Sequence, residues 1–221
     1  MKLKGIFPWL QIFVPIIFIT LFILNKCEEK PLRTLPYFGK KKYVAKNDTN
    51  YHTVKSFNFV DQYNEPVNDK TVEGKIYVTD FFFTTCQSIC PVMSSQLEGV
   101  YKEFYNNKDV MILSHTVNPE EDSVEVLMRY ADLHKVNNKQ WLFLTGDKKQ
   151  LYDLARQGYL LNAEEGNGGS EDFIHTQNFA LIDKEKHIRG FYDGTDSAEV
   201  ARLLMDMHLL LKEYAYREKN K

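Results

Sequence analysis

The sequence predicts an α/β domain with a central mixed sheet, set behind an apolar N-terminal segment. Three observations predict it. Strand and helix signals alternate from Val54 onward, a long amphipathic pattern closes the chain, and residues 5–24 form one uncharged apolar run. The 221 residues, with 43% hydrophobic side chains, suffice for one domain and an appendage. With 28 Lys+Arg against 30 Asp+Glu there is no basic field and no dense Lys/Arg block, so nucleic acid is not an expected partner. Three cysteines are too few to build a disulfide scaffold, which directs attention to local thiol chemistry.

The run GIFPWLQIFVPIIFITLFIL at 5–24 would span about 30 Å as a helix, the thickness of a bilayer's hydrocarbon core. Lys2 and Lys4 precede it as in a signal sequence, but it is longer than a usual signal core and no small-x-small cleavage site follows. Residues 1–24 are therefore read as an uncleaved transmembrane anchor. Cys27 stands where a lipoprotein cysteine would, yet Lys26 occupies the place of the usual small residue, which favours a spare juxtamembrane thiol over a lipidated one. Residues 25–50 are polar, carry Pro31, Pro36 and Lys40 to Lys42, and show no periodicity, as expected of a linker. The domain is placed at 51–216, with a polar tail at 217–221.

Within the domain, VKSFNFV predicts a first strand and IYVTDFFF a buried central one, separated by a turn through Asn64 and Pro66. A helix follows from Pro91 to about Tyr105, then the strand DVMILSHTV. Asn118-Pro119, with Glu120 and Glu121 behind them, predict the start of the next helix. WLFLTG reads as a strand, DKKQLYDLARQ as a short helix, and NFALID with HIRGFYD as a hairpin turning at Lys184 to Lys186. Val200, Leu203, Leu204, Met207, Leu210, Leu211 and Tyr214 recur at three- and four-residue spacing, one apolar stripe for packing on a sheet, methionine included. The order β-β-α-β-α-β-α-β-β-α fits a thioredoxin-like domain. GNGGSED at 166–172 reads as a loop leading to His175.

Cys86 and Cys90, in FFFTTCQSICPVM, follow a buried strand and open a helix that Pro91 would begin. The C-terminal ends of parallel strands are the usual site in such sheets, and the free amides of a helix start stabilise a thiolate. Such a pair can close to a disulfide or act as soft ligands for Cu(I), with Cu(II) or Zn if a nitrogen joins. Its bland alternative is two inert cysteines packed as small hydrophobes. Among the histidines, His52, His134, His187 and His208 occupy ordinary positions. His115, at a strand end, and His175, in the loop before the hairpin, are equal candidates for a third ligand.

FTTCQSICPVM, HTVNPEEDSVEVLMRYA, QWLFLTG and the hairpin around IHTQNFALID resemble, in order, the Sco/SenC family, over about Phe57 to Leu211. These are thioredoxin-fold copper proteins tethered to a membrane and used in assembling cytochrome c oxidase. The resemblance implies Cys86 and Cys90 as thiolate ligands and His175, rather than His115, as the distal histidine. It implies Cu(I) or Cu(II) as the metal and the oxidase subunit carrying the dinuclear copper site as partner, besides other copper carriers or thiol-disulfide proteins. It also implies an anchor in the inner membrane with the domain on the periplasmic or extracytoplasmic side. The chain departs from many relatives in having Ile174 where an Asp precedes the histidine, with Asp172 three positions ahead of His175, and Gln87-Ser88-Ile89 between the cysteines. Metallochaperone action is one expectation. A general thiol-disulfide oxidoreductase using Cys86 and Cys90 is the other. A peroxidase fits less well, because Phe83 stands where peroxiredoxins carry threonine.

Overall fold

The computed structural model describes residues 33–45, 48–161 and 176–220, and the fold is that of the body from Thr34 onward. The apolar run 5–24, Cys27 and His175 lie outside the described residues, within which no helix is long and apolar enough to cross a membrane. The elements are β1 (Lys42–Ala45), β2 (Asp48–Asn50), β3 (Asn58–Asp61), β4 (Pro66–Asn68), β5 (Ile76–Phe82), α1 (Cys90–Glu103), β6 (Val110–Thr116), α2 (Val124–Leu133), β7 (Trp141–Thr145), α3 (Lys148–Asp153), β8 (Asn178–Ile182), β9 (Ile188–Asp193) and α4 (Ser197–Lys219).

Seven strands form one mixed sheet in the order β4-β3-β7-β6-β5-β8-β9. β5, β6 and β7 are parallel, whereas β8 adds antiparallel to β5 and β3 to β7. Every residue of β5, β6 and β7 is buried, as expected of strands covered on both faces. Alternation then divides the core. Ile76, Val78 and Phe82 of β5 join α1, α2 and α4 on one face, while Tyr77 and Phe81 join α3 and the Val54–Phe59 approach on the other. The predicted stripe of α4 supplies Val200, Leu203, Met207, Leu210 and Tyr214 to the first face. Leu204 and Leu211 pack at its margin.

Several elements differ from the expectations. The strand VKSFNFV shortens to Asn58–Asp61 and pairs with β4, which three residues and a proline do not announce. Pairing of β3 with β7 stops after Val60↔Thr145 and Asp61↔Leu144. Buried Gln62 extends it with its side chain, donating to the Trp141 carbonyl at 3.1 Å and accepting from Phe143 N–H at 2.9 Å. The helix expected to open at Asn118-Pro119 starts at Val124 with Ser123 as N-cap. Residues 118–122 make a turn instead, closed by Glu121 and Asp122 N–H on the Asn118 carbonyl, because the Asp122 side chain is committed to tertiary bonds. α1 begins at Cys90, which places Pro91 second. After α3 the chain widens into a π turn, Leu154–Gly158.

Part of the stretch read as linker is attached to the body. β1 and β2 form a small hairpin. Ahead of it, Leu35 enters the core, 4% exposed. Arg189, on β9, donates to the carbonyls of Leu35 at 2.7 Å and Pro36 at 3.1 Å, and Phe38 N–H bonds Ile188 at 2.9 Å. The guanidinium also pairs with buried Asp183 at 2.9 Å and Glu213 at 3.3 Å, under the Tyr37 ring. Backbone carbonyls carry this attachment, so no periodic side-chain pattern marks it.

Candidate functional site

The parallel strands β5 and β6 end side by side, Phe82 opposite Thr116. From this edge residues 83–89 rise as a loop and fall back into α1. Cys86 N–H bonds the Phe83 carbonyl at 3.2 Å, which turns the Cys86 side chain back toward the helix start. Cys90, the first helical residue, is buried in the apolar cluster beneath α1, whereas Cys86 is partly exposed. Both are free thiols. They line a cleft of about 80 Å³ with Phe81, Phe82, Phe83, Ser88, Ile89, Val117 and Thr176.

The two thiols are electrostatically unlike. Partial burial opposes ionisation of Cys86, but hydrogen bonding from the Cys90 thiol, from the Ser88 side chain and from the Ser88 and Cys90 amides outweighs it and lowers its pKa to about 7. The Ser88 hydroxyl is 3.5 Å from the sulfur. Burial drives Cys90 up to about 12, helped by its bond to Cys86 and the charges of Cys86 and Asp80. One sulfur is thus a ready thiolate at neutral pH and its neighbour a protonated donor to it.

Beneath the pair lie polar groups that reading the chain did not single out. Asp80, 1% exposed, is pushed up to about 7 by burial, although the Ser114 hydroxyl donates to it at 2.5 Å. Trp141 Nε1 donates to the same Ser114 oxygen at 2.9 Å. Tyr130 stacks on Phe82 and shares a 2.8 Å bond with Ser94. Burial raises this phenol to about 12, with further upward pushes from the Asp80, Cys90 and Cys86 charges. An acidic residue within IYVTDFFF was the one visible signal.

The histidines separate clearly. His115 is fully buried on the face opposite the cysteines, stacked on Phe81 with its Nδ1 3.1 Å from Thr79 Oγ1, and burial holds its pKa down to about 3. The period of two along β6 sends His115 away from the cysteine side, which disposes of it as the third ligand. His52 and His187 interlock near the Gly158 carbonyl, His134 bonds Glu98, and His208 bonds Glu103. Among the described residues no three His, Cys, Asp or Glu converge as a metal cage. His175 lies outside them, but its chain neighbour Thr176 lines the cysteine cleft. A larger cleft of about 660 Å³ opens at the other end of the strands, among Lys75, Lys108, Lys139 and Glu65, and contains neither thiol nor imidazole.

A mixed sheet flanked by helices, with a C-x-x-x-C dithiol where a central parallel strand meets a helix, defines a thioredoxin-like dithiol protein. Residues 45–209 match the SCO1/SenC family model, and the chain belongs to that family. It is 27% identical over 164 residues to the SCO1 protein homolog of Bacillus subtilis, covering 73% of this chain and 84% of that protein. BsSco, described as a member of the Sco family of cytochrome c oxidase assembly proteins with a disulfide switch, superposes with TM-score 0.61 at 25% identity, over 71% of this chain and 92% of that one. The copper-bound structure of Bradyrhizobium japonicum ScoI shares the fold, with TM-score 0.55 at 21% identity over 69% and 98% of the two chains.

Proposed function

We propose that this protein is a membrane-tethered copper-binding assembly factor that delivers copper to, or reduces the cysteines of, the dinuclear copper site of cytochrome c oxidase. Cys86, Cys90 and His175 hold the metal. The observation that carries the reading is the thiol pair itself, with Cys86 accessible and ionisable near neutral pH and Cys90 directly behind it. Two adjacent sulfurs suit Cu(I), and a neutral imidazole lets the same site accept Cu(II). Chain connectivity supports His175, since Thr176 lies on the cleft and consecutive Cα atoms are about 3.8 Å apart. Copper is cargo here, so partial exposure of Cys86 serves hand-over to a partner.

The run 5–24 anchors the chain in the inner membrane, and the body from Thr34 onward works on the periplasmic or extracytoplasmic side. The recipient is the copper-site subunit of the oxidase; other copper carriers or thiol-disulfide proteins act as donors or reductants.

The unequal thiols favour a second, compatible activity. Cys86 attacks a partner disulfide as thiolate, and Cys90 then resolves the mixed disulfide, so the pair ends oxidised and the partner reduced. Copper stoichiometry and affinity of the full-length protein, compared with Cys86→Ser, Cys90→Ser and His175→Ala, separate the readings. About one copper in the wild type, weakened at least about tenfold in each variant, supports the metal site. Equal copper retention in all four proteins, with Cys86 and Cys90 still cycling against a thiol buffer, leaves only the oxidoreductase.

A further inference from the structure

Asp122 is 0% exposed and forms no ion pair among the described residues. A carboxylate buried without a cation is costly unless hydrogen bonds replace water. Its donors come from the loop after β5 and from the end of β6. Thr84 gives its amide, 3.4 and 3.3 Å from the two oxygens, and its hydroxyl at 2.5 Å to Oδ1. Thr116 gives its hydroxyl to Oδ2 and accepts from Asn118 N–H at 2.9 Å. Thr84 stands two residues before Cys86, on the limb that leads from β5 to the thiol.

We infer that Asp122 is a positioning residue for the dithiol: by gripping Thr84 it fixes the Cys86 limb against the β6 end, so that the Cys86 sulfur is held beside Cys90. Disulfide closure and shared metal ligation both demand a narrow separation of the two sulfurs, and a limb already held there loses less freedom on bonding. A carboxylate suits the task because it accepts from all three donors at once. An amide offers one oxygen, and the Thr84 N–H cannot reverse its role to meet an NH2 group. The inference rests on the reading of Cys86 and Cys90 as the working pair, but not on copper.

The test is the thiol-disulfide equilibrium of the full-length, metal-free protein. Two protein thiols and one glutathione disulfide give the Cys86–Cys90 disulfide and two glutathione thiols. Thermal stability is measured on the same samples. Asp122→Asn and Thr84→Val should shift this equilibrium toward the dithiol by about tenfold, and Thr84→Ser should restore it. Gln62→Ala, which removes a buried bridge elsewhere in the sheet, should lower stability and leave the equilibrium alone. If Asp122→Asn and Thr84→Val lose stability with the wild-type equilibrium constant, Asp122 is only structural and the inference is wrong; should Asp122→Asn not fold, Thr84→Val decides. A wild type unable to form the disulfide would equally overturn it. Absence of copper binding, by contrast, would sink the metal reading and leave this measurement intact.

Discussion

At the scale of single residues, the site is a contrast between two sulfurs of the same chemical type. In the metal-free protein Cys86 should be alkylated by iodoacetamide with a rate that rises through about pH 7, while Cys90 stays protected to far higher pH. Ser88→Ala, which removes one donor to the Cys86 sulfur, should move that midpoint upward by a fraction of a pH unit; an unmoved midpoint would discount the serine. Asp80 gives a stability test. In the fold it keeps its proton to about pH 7, and in the unfolded chain only to about 3.8, so it favours the folded state at low pH and this contribution is lost as the pH rises through that window. Asp80→Asn should therefore gain on the wild type between pH 4 and 7, by on the order of 4 kcal/mol in urea unfolding at the upper end. The cysteines were legible because their motif declares them. Asp122 was not legible as part of the site, since nothing in VNPEEDSV says that its side chain turns inward to Thr84 and Thr116.

At the scale of elements, periodic segments could be read and short ones could not. The α4 stripe betrays its period, and the mostly apolar, β-branched and aromatic runs of β5, β6 and β7 mark themselves as buried strands, whereas β4 is three residues paired at the edge of β3. The helix after β6 was placed early because Asn118-Pro119 is a start signal that the Asp122 bonds override. Within α4, Leu203→Ala should cost about 3 kcal/mol of unfolding free energy, as expected for a fully buried leucine whose neighbours only partly close the gap. The attachment at β9 is more sensitive. Arg189→Met would leave Asp183 buried without its cation, while Glu213 keeps Arg217, and a loss of about 3–5 kcal/mol, with faster proteolysis at residues 34–41, is expected. A change below about 1 kcal/mol would mean that Arg189 holds nothing.

At the scale of the whole molecule, family membership was legible from several blocks in order, whereas His175 as third ligand is a proposal that rests on resemblance. Composition alone could not choose between His115 and His175, and the alternation of β6 removes the first from the cysteine side. The true start of the domain was not legible, because Leu35 is one apolar residue in a polar stretch. A chain beginning at residue 51 should unfold with about 2 kcal/mol or more less free energy than one beginning at residue 33, and melt lower, for the lost burial of Leu35 together with the bonds at Arg189. Equal melting of the two would confine Leu35 to the margin of the fold.

Cys90 belongs to the same apolar cluster as α1, β5 and α4. Its sulfur is a shared part of the interior as well as a reagent, so a bond that forms there more readily in the folded chain than in the unfolded one stabilises the fold. The melting temperature of this protein should consequently shift with the oxidation state of the pair and, on the function proposed above, fall as a partner takes the metal.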